Sequence, residues 1–236
     1  MDFATFKDHV RDLPIIHKLD VWWASKWQEH RKNIIRYGVG ALALILLTAG
    51  YARFRNQNNA KALVELEKLE MLYSRGSFDS ALVDAKSFVQ NHPGTKWTGL
   101  GYFYLGNCQF HAQLYDEAKP SFEQALKRWM PNPLKGYAYL ASPQILEAKG
   151  EYQKAIEEYQ KASKKSVCEF LKPEMMMAIA RCHEQLGQWQ EAIQVYQEAV
   201  QQFKGMPWEQ KARERTTELE AKLMAPAPAN PPPLPK

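Results

Sequence analysis

Glycine is scarce in this chain, 12 of 236 residues, and the patterns through which glycine serves chemistry are missing. There is no G-x-S-x-G nucleophile turn, no glycine-rich phosphate loop and no H-E-x-x-H zinc motif. No carboxylate pair stands in an apolar context, since Asp116-Glu117 and Glu157-Glu158 read as solvated helix faces. Without a nucleophile, base and acid to bring together, the chain is not expected to be an enzyme, and no cofactor is expected. Cysteine is scarce too: Cys108, Cys168 and Cys182 are an odd set that leaves the redox compartment open. Excess charge is absent where a nucleic-acid binder would need it. The formal net charge is +5, yet residues 56–224 hold 21 Lys+Arg and 21 Asp+Glu. Phosphate neutralisation would place the surplus on that body. The surplus lies instead in residues 1–33, at Arg36, Arg53 and Arg55, and at Lys236. Nucleic acid is set aside as a partner.

Charge is missing altogether from residues 37–52, YGVGALALILLTAGYA, bounded by Arg36 and Arg53. As a helix this run spans about 24 Å at 1.5 Å per residue, a little short of a ~30 Å hydrocarbon core. Snorkelling arginines and the apolar Ile34, Ile35 and Phe54 extend it. A buried core helix is the competing reading, but no amphipathic alternation interrupts Ala41–Leu47, which favours a membrane span over 34–55. A cleaved leader fits poorly, because 33 residues precede the run and no clean A-x-A site follows it. An uncleaved signal anchor fits best. Within residues 1–33, Leu19, Trp22, Trp23 and Trp27 fall at helical spacing among Lys18, Lys26, Arg31 and Lys32. Tryptophan favours the headgroup region, so an interfacial amphipathic helix is expected to feed the span. Five Lys/Arg flank the run on its N-terminal side and four on the other, a majority of one for an inside N-terminus. Gly38 and Gly40 are too close for a G-x-x-x-G pairing face, so the span gives no sign of pairing and the oligomeric state stays open.

The body of the chain repeats. Steps of 37 residues from Gly187 give Gly150, Gln113 and Gly76; from Trp189 they give Tyr152, Tyr115 and Phe78. Ala192 gives Ala155, Ala118 and Ala81. Tyr196 leads to Tyr159, Phe122 and Ala85, while Ala199 leads to Ala162, Ala125 and Phe88, so large and small are exchanged in the first unit. One turn residue, aromatic and alanine in a single register implies four helical hairpins, each unable to bury its apolar face alone. They are placed at about 60–94, 96–131, 133–167 and 173–206, within a repeat body over 56–205. Pro133 and Pro173 fit first helical positions. Pro143 is expected to kink its helix or to delay its start to a cap at Ser142. Residues 207–224, with Trp208, Ala212 and Leu219 on one side, read as a polar-faced capping helix. The Pro-rich tail 225–236 cannot form helix or ladder and reads as extended and solvated.

Tyr102, Leu105-Gly106, Ala118, Phe122, Ala125 and Pro131 resemble the tetratricopeptide repeat pattern W-x2-L-G-x2-Y…A-x3-F…P, as do Gly187, Ala192, Tyr196 and Ala199. The resemblance covers about residues 60–205. It implies an all-α solenoid of four helix pairs plus a C-terminal capping helix, behind one N-terminal transmembrane helix. The period departs from the family's 34 by three residues, placed in the links or beside them. In this family the first helices form the inner face. That carries over to Leu66, Tyr73, Phe103, Asn107, Phe110, His111, Tyr137, Leu140, Gln144, Met177 and Arg181, with Leu100, Glu147 and Glu184 beside them. Members that clamp a terminal carboxylate have charged or amide side chains where this chain has Leu66, Phe103, Leu140 and Met177, so that activity is not implied. An apolar, aromatic groove suits extended or unfolded polypeptide. Cys108 and Cys182 sit two units apart, roughly 20 Å at 8–10 Å per helix, too far for a shared zinc or a disulfide. Packing explains them. Cys168 lies in a link, where exposure is expected.

A Trp-bearing N-terminus, one span and a helical-pair array resemble the single-span, periplasm-facing tetratricopeptide proteins related to the ancillary subunit of the SecYEG translocon. That resemblance implies an adaptor at the bacterial inner membrane, with periplasmic repeats holding unfolded segments, a chaperone or translocon components. The alternatives are a cell-envelope scaffold for one dedicated complex and an organelle-membrane adaptor with cytosolic repeats.

Overall fold

The computed structural model describes residues 14–224. The expectations for residues 1–13 and for the tail 225–236 lie outside the described residues. The chain divides into two units, Met1–Gln57 and Asn58–Lys236.

The described part of the first unit is helical throughout, as part of helix α1, Pro14–Ser74. No break separates the tryptophans from the apolar run, so the interfacial helix expected ahead of the span is not a separate element. Trp22, Trp23 and Trp27 are 54%, 65% and 51% exposed. The run behind them is apolar on every side and uncovered, with Leu44, Ile45, Leu46 and Leu47 all exposed. This helix is long and apolar enough to be a candidate membrane span.

The second unit is all-α among the described residues. The end of α1 pairs with α2, Phe78–Asn91. Then α3, Thr98–His111, pairs with α4, Tyr115–Leu126, and α5, Asn132–Ala148, with α6, Tyr152–Ser163. A 3-10 helix, Ser166–Leu171, leads to α7, Lys172–Gln185, which pairs with α8, Trp189–Gln202. Helix α9, Pro207–Met224, covers the end of the array with buried Ala212 and Leu219. The four aromatics in common register, Phe78, Tyr115, Tyr152 and Trp189, each open the second helix of a pair.

The turn inside each pair is built once and repeated. Gly76, Gln113, Gly150 and Gly187 take φ of 74°, 59°, 76° and 72°. A residue in this left-handed region lets the backbone double back and satisfy the last helical carbonyls. Ser77, Leu114, Glu151 and Gln188 N–H accordingly donate to Leu72, Gln109, Leu146 and His183 O at 2.8–3.0 Å. Gln113 adopts this conformation without glycine's freedom, which is a local strain on the second turn. Each of these turns takes three residues, whereas the links between pairs span 92–97, 127–131 and 164–171. The added length of the repeat therefore sits in the links.

Burial follows the register. Ala81, Ala118, Ala155 and Ala192 are each 0% exposed, and Tyr159, Tyr196 and Phe88 are 1%. Alanine lets two helices close up, and the ring one turn later fills the space between them. In the first pair that ring comes from Phe88, one turn after Ala85 and in the place the other pairs give to Ala125, Ala162 and Ala199, and Gly101 makes room. A Cβ on Gly101 would lie 2.3 Å from Phe88 Cδ1.

One of the two alternatives at Pro143 is removed, and one expectation is corrected. Helix α5 runs unbroken through Pro143, so it does not start late at Ser142. Cys168 is 0% exposed, because the 3-10 turn that carries it folds onto α5 at Gly136. A Cβ at Gly136 would sit 2.7 Å from Val167 O, and Cys168 Sγ lies 3.8 Å from Gly136 O. Cys108 and Cys182 are buried as well, and desolvation pushes their thiols up to about 11 and about 12. A thiolate is the reactive form. All three cysteines are therefore expected to ignore a thiol reagent in the native protein and to react once it is unfolded in urea. Titration with a chromogenic disulfide measures both, and a fast native thiol would contradict the packing.

Candidate functional site: an aromatic cavity on the inner helices

The first helix of each pair carries one register position that reads Glu70, Asn107, Gln144 and Arg181 in steps of 37. Around the first three lies a cavity of about 460 Å³. It is framed by α1, α3 and α5, with Phe122 of α4 at its back. Six residues expected on the inner face line it: Tyr73, Phe103, Asn107, Phe110, Tyr137 and Gln144. Their rings interlock with those behind them. Tyr73 lies 5.3 Å from Tyr104, and Phe103 lies 6.1 Å from Phe122, with the latter pair edge-on. Such contacts hold the wall rigid before any ligand arrives.

Five expected positions fall elsewhere. Leu66, Leu140 and Met177 are 4%, 1% and 2% exposed and pack in the core. They share the register of Phe103, which turns towards neighbouring helices; only the reach of the phenylalanine ring brings that position to the cavity. His111 stacks on Phe78 at 3.9 Å between ring centroids, at the turn end of the first two pairs. Arg181 is exposed but engaged: its guanidinium reaches Glu147 Oε1 at 3.2 Å.

That ion pair belongs to a second arrangement. Tyr159 OH donates to Glu147 Oε2 at 2.8 Å, and 37 residues on Tyr196 OH donates to Glu184 Oε1 at 2.7 Å. Arg215 of α9 takes the other oxygen of Glu184, as Arg181 takes Glu147. Burial, and then the carboxylate beside each hydroxyl, hold both tyrosines well above the ordinary phenol range. One pair earlier the same two positions are Phe110 and Phe122. The inner face therefore changes character along the chain. Its beginning is aromatic with one carboxylate, Glu70, and its end is closed by tyrosine–glutamate–arginine bonds.

Glu70, Tyr104, Phe122, Leu134 and Ala141 also line the cavity, although the sequence did not single them out for it. Glu70 shares the register of Asn107 and Gln144, and a step of 37 back from Asn107 would have found it. The side chains offer little for bond chemistry. Asn107 Nδ2 donates to Phe103 O at 2.8 Å, which leaves its oxygen open, and Gln144 has no hydrogen-bond partner among the described residues. Two carboxamides between aromatic walls can hold a neutral polar backbone and apolar side chains.

A model of the tetratricopeptide repeat-like domain matches residues 23–223. The chain belongs to the tetratricopeptide repeat-like domain family. Solved structures show the same fold. YrrB, described as a tetratricopeptide protein with an unusual peptide-binding site, is 20% identical at a TM-score of 0.50, covering 74% of this chain and 82% of its own. MamA is also 20% identical at 0.50, covering 73% and 81%. A tetratricopeptide repeat protein from Parabacteroides merdae is 16% identical at 0.53, covering 70% and 61%. No curated protein matches the chain. Tetratricopeptide repeats are typically protein-interaction scaffolds, and the cavity lies on the helices that form the inner face in this family.

Proposed function

We propose that the protein is a membrane-anchored, non-catalytic tetratricopeptide adaptor that holds polypeptide segments beside the bacterial inner membrane. Its partners on this reading are extended or unfolded segments, or chaperone and translocon components. The observation that carries it is the 460 Å³ cavity between three successive inner helices, walled by Tyr73, Phe103, Phe110 and Tyr137. Rigid aromatic walls with few charges accept apolar side chains of many sequences, and Asn107 and Gln144 can bond a passing backbone. Helix α1 supplies the anchor. Its exposed apolar run takes the hydrocarbon, and Arg36 and Arg53 mark the two interfaces; on the unbroken helix Trp22, Trp23 and Trp27 lie about 13–21 Å beyond Arg36, past the headgroup layer. With the N-terminus inside, the repeats face the periplasm.

A photoreactive amino acid at Phe103 or Phe110 tests the groove in living cells. Many products of different mass, lost when protein synthesis stops, are expected for an adaptor of emerging chains. A single stoichiometric product would instead make the protein a scaffold for one complex. The side of the membrane is tested by adding protease to spheroplasts: the repeats are expected to be cut there and protected in inverted vesicles. The reverse pattern would overturn the periplasmic placement.

A further inference from the structure

The repeat body is neutral as a whole, but its two edges are not alike. The three links 92–98, 127–135 and 164–172 hold seven Lys/Arg and one acid, Glu169, which is paired with Lys172 at 2.8 Å. At the other ends of the helices, the turns 74–79, 111–117, 148–154 and 185–191 hold three Lys/Arg and five Asp/Glu. Packing brings the links together. Lys96 Nζ lies 4.6 Å and 5.0 Å from the rings of Trp97 and Trp129, which meet edge-on at 5.9 Å. Further along, Tyr137 at the start of α5 meets Phe170 at 5.7 Å. Trp129 and Phe170 remain 50% and 53% exposed. Lys127, Lys135 and Lys164 form no ion pair among the described residues. Cations interleaved with exposed aromatics form one continuous edge.

That edge is tied to α1 just past its apolar run. Lys96 N–H donates to Asn59 Oδ1 at 2.9 Å, and Trp97 Nε1 donates to Asn59 O at 3.1 Å. Asn59 is five residues beyond Phe54, so at most about 18 Å of chain separates them in any conformation. We infer that this edge docks on the surface of the bilayer, with its lysines and arginine on anionic phospholipid headgroups and Trp129 and Phe170 dipping below them. Charge selects the lipid: unpaired cations are drawn to an anionic surface, and rings with one wet side suit the headgroup layer. The short tether keeps the edge at high effective concentration against that surface. The inference rests on the anchor reading of α1 and adds a second contact with the membrane.

The test uses the full chain in nanodiscs of phosphatidylcholine, with or without phosphatidylglycerol, and a headgroup-attached quencher. The native cysteines are buried, so a fluorophore on Ser166→Cys reports the basic edge and one on Ser77→Cys reports the opposite edge. The expected result is quenching at position 166 that rises several-fold with phosphatidylglycerol, with none at 77. Lys127→Ala, Lys164→Ala and Lys165→Ala together should shift the docked-to-free ratio by on the order of 100-fold, about fivefold per charge. Quenching that ignores phosphatidylglycerol, or is equal at the two labels, overturns the inference. So does displacement of the lipid contact by an oligonucleotide, which would give the edge to nucleic acid. Carbonate extraction of the same protein reports the anchor separately. Extraction with an intact phosphatidylglycerol-dependent quench would remove the span and leave the edge.

Discussion

Leu44→Arg with Leu46→Arg is expected to release the protein from membranes. Residues 35–54 carry ten large hydrophobic side chains that are all more than half exposed, from Ile35 at 56% to Tyr37 at 75%. Water would charge such a surface heavily, and no element of the described chain covers it. In a bilayer the same residues are favourable. An arginine at the centre of a span costs about 2.5–3.5 kcal/mol on the insertion scale, and each lost leucine roughly 0.5 more. Two substitutions near the middle of the run thus cost on the order of 6–8 kcal/mol, enough to reverse insertion. Alkaline carbonate should leave the unaltered protein in the membrane pellet and the variant in the supernatant. The unaltered protein in the supernatant would show that the run is not a span. The second unit should keep its helical circular dichroism, because neither leucine belongs to its core.

Phe88→Ala is the second large effect, and it tests how the first hairpin differs from the rest. Phe88 is 1% exposed and is the ring that fills the first pair, where Ala85 leaves the usual place empty. Its removal should cost about 3–5 kcal/mol in urea unfolding, the range for a buried phenylalanine truncated to alanine. Gly101→Ala should cost about 1–3 kcal/mol on its own, because its methyl would meet Phe88 at 2.3 Å. Together the two should cost less than their sum by roughly 1 kcal/mol or more, since the methyl enters the cavity that the ring vacates. One period on, at positions 125 and 138, the chain has alanine in both places. Additive costs would mean that ring and glycine do not share a space.

These two results draw on what the sequence shows best. Apolar run and repeat are local signals: one needs only consecutive residues, the other a fixed step. The step placed Phe78, Tyr115, Tyr152 and Trp189 at four equivalent helix starts and marked Gln113 as a turn despite its side chain. It was less informative about contacts between hairpins. Stepping by 37 compares equivalent positions, whereas side chains of successive inner helices meet with a smaller offset. Glu147 meets Arg181 34 residues on, because side chains lean towards the helix N-terminus. Arg181 therefore read as a free groove residue when it is held by its neighbour. For the same reason one register position reads as groove at Phe103 and as core at Leu66, Leu140 and Met177: only ring size decides it. Cys168 was misread because a 3-10 turn that packs on a glycine leaves no periodic trace.

The claim beneath the functional account is that the aromatic cavity of the first three hairpins receives polypeptide. It is tested most directly by fluorescence anisotropy of a labelled, unfolded apolar peptide with purified full chain in detergent. Phe110→Glu should weaken binding at least tenfold, because it places a charge among Tyr73, Tyr115 and Phe122; Val83→Glu, at an exposed position of α2, should leave binding unchanged. Equal affinity for the unaltered protein and the Phe110 variant, with the fold intact by circular dichroism, would contradict it.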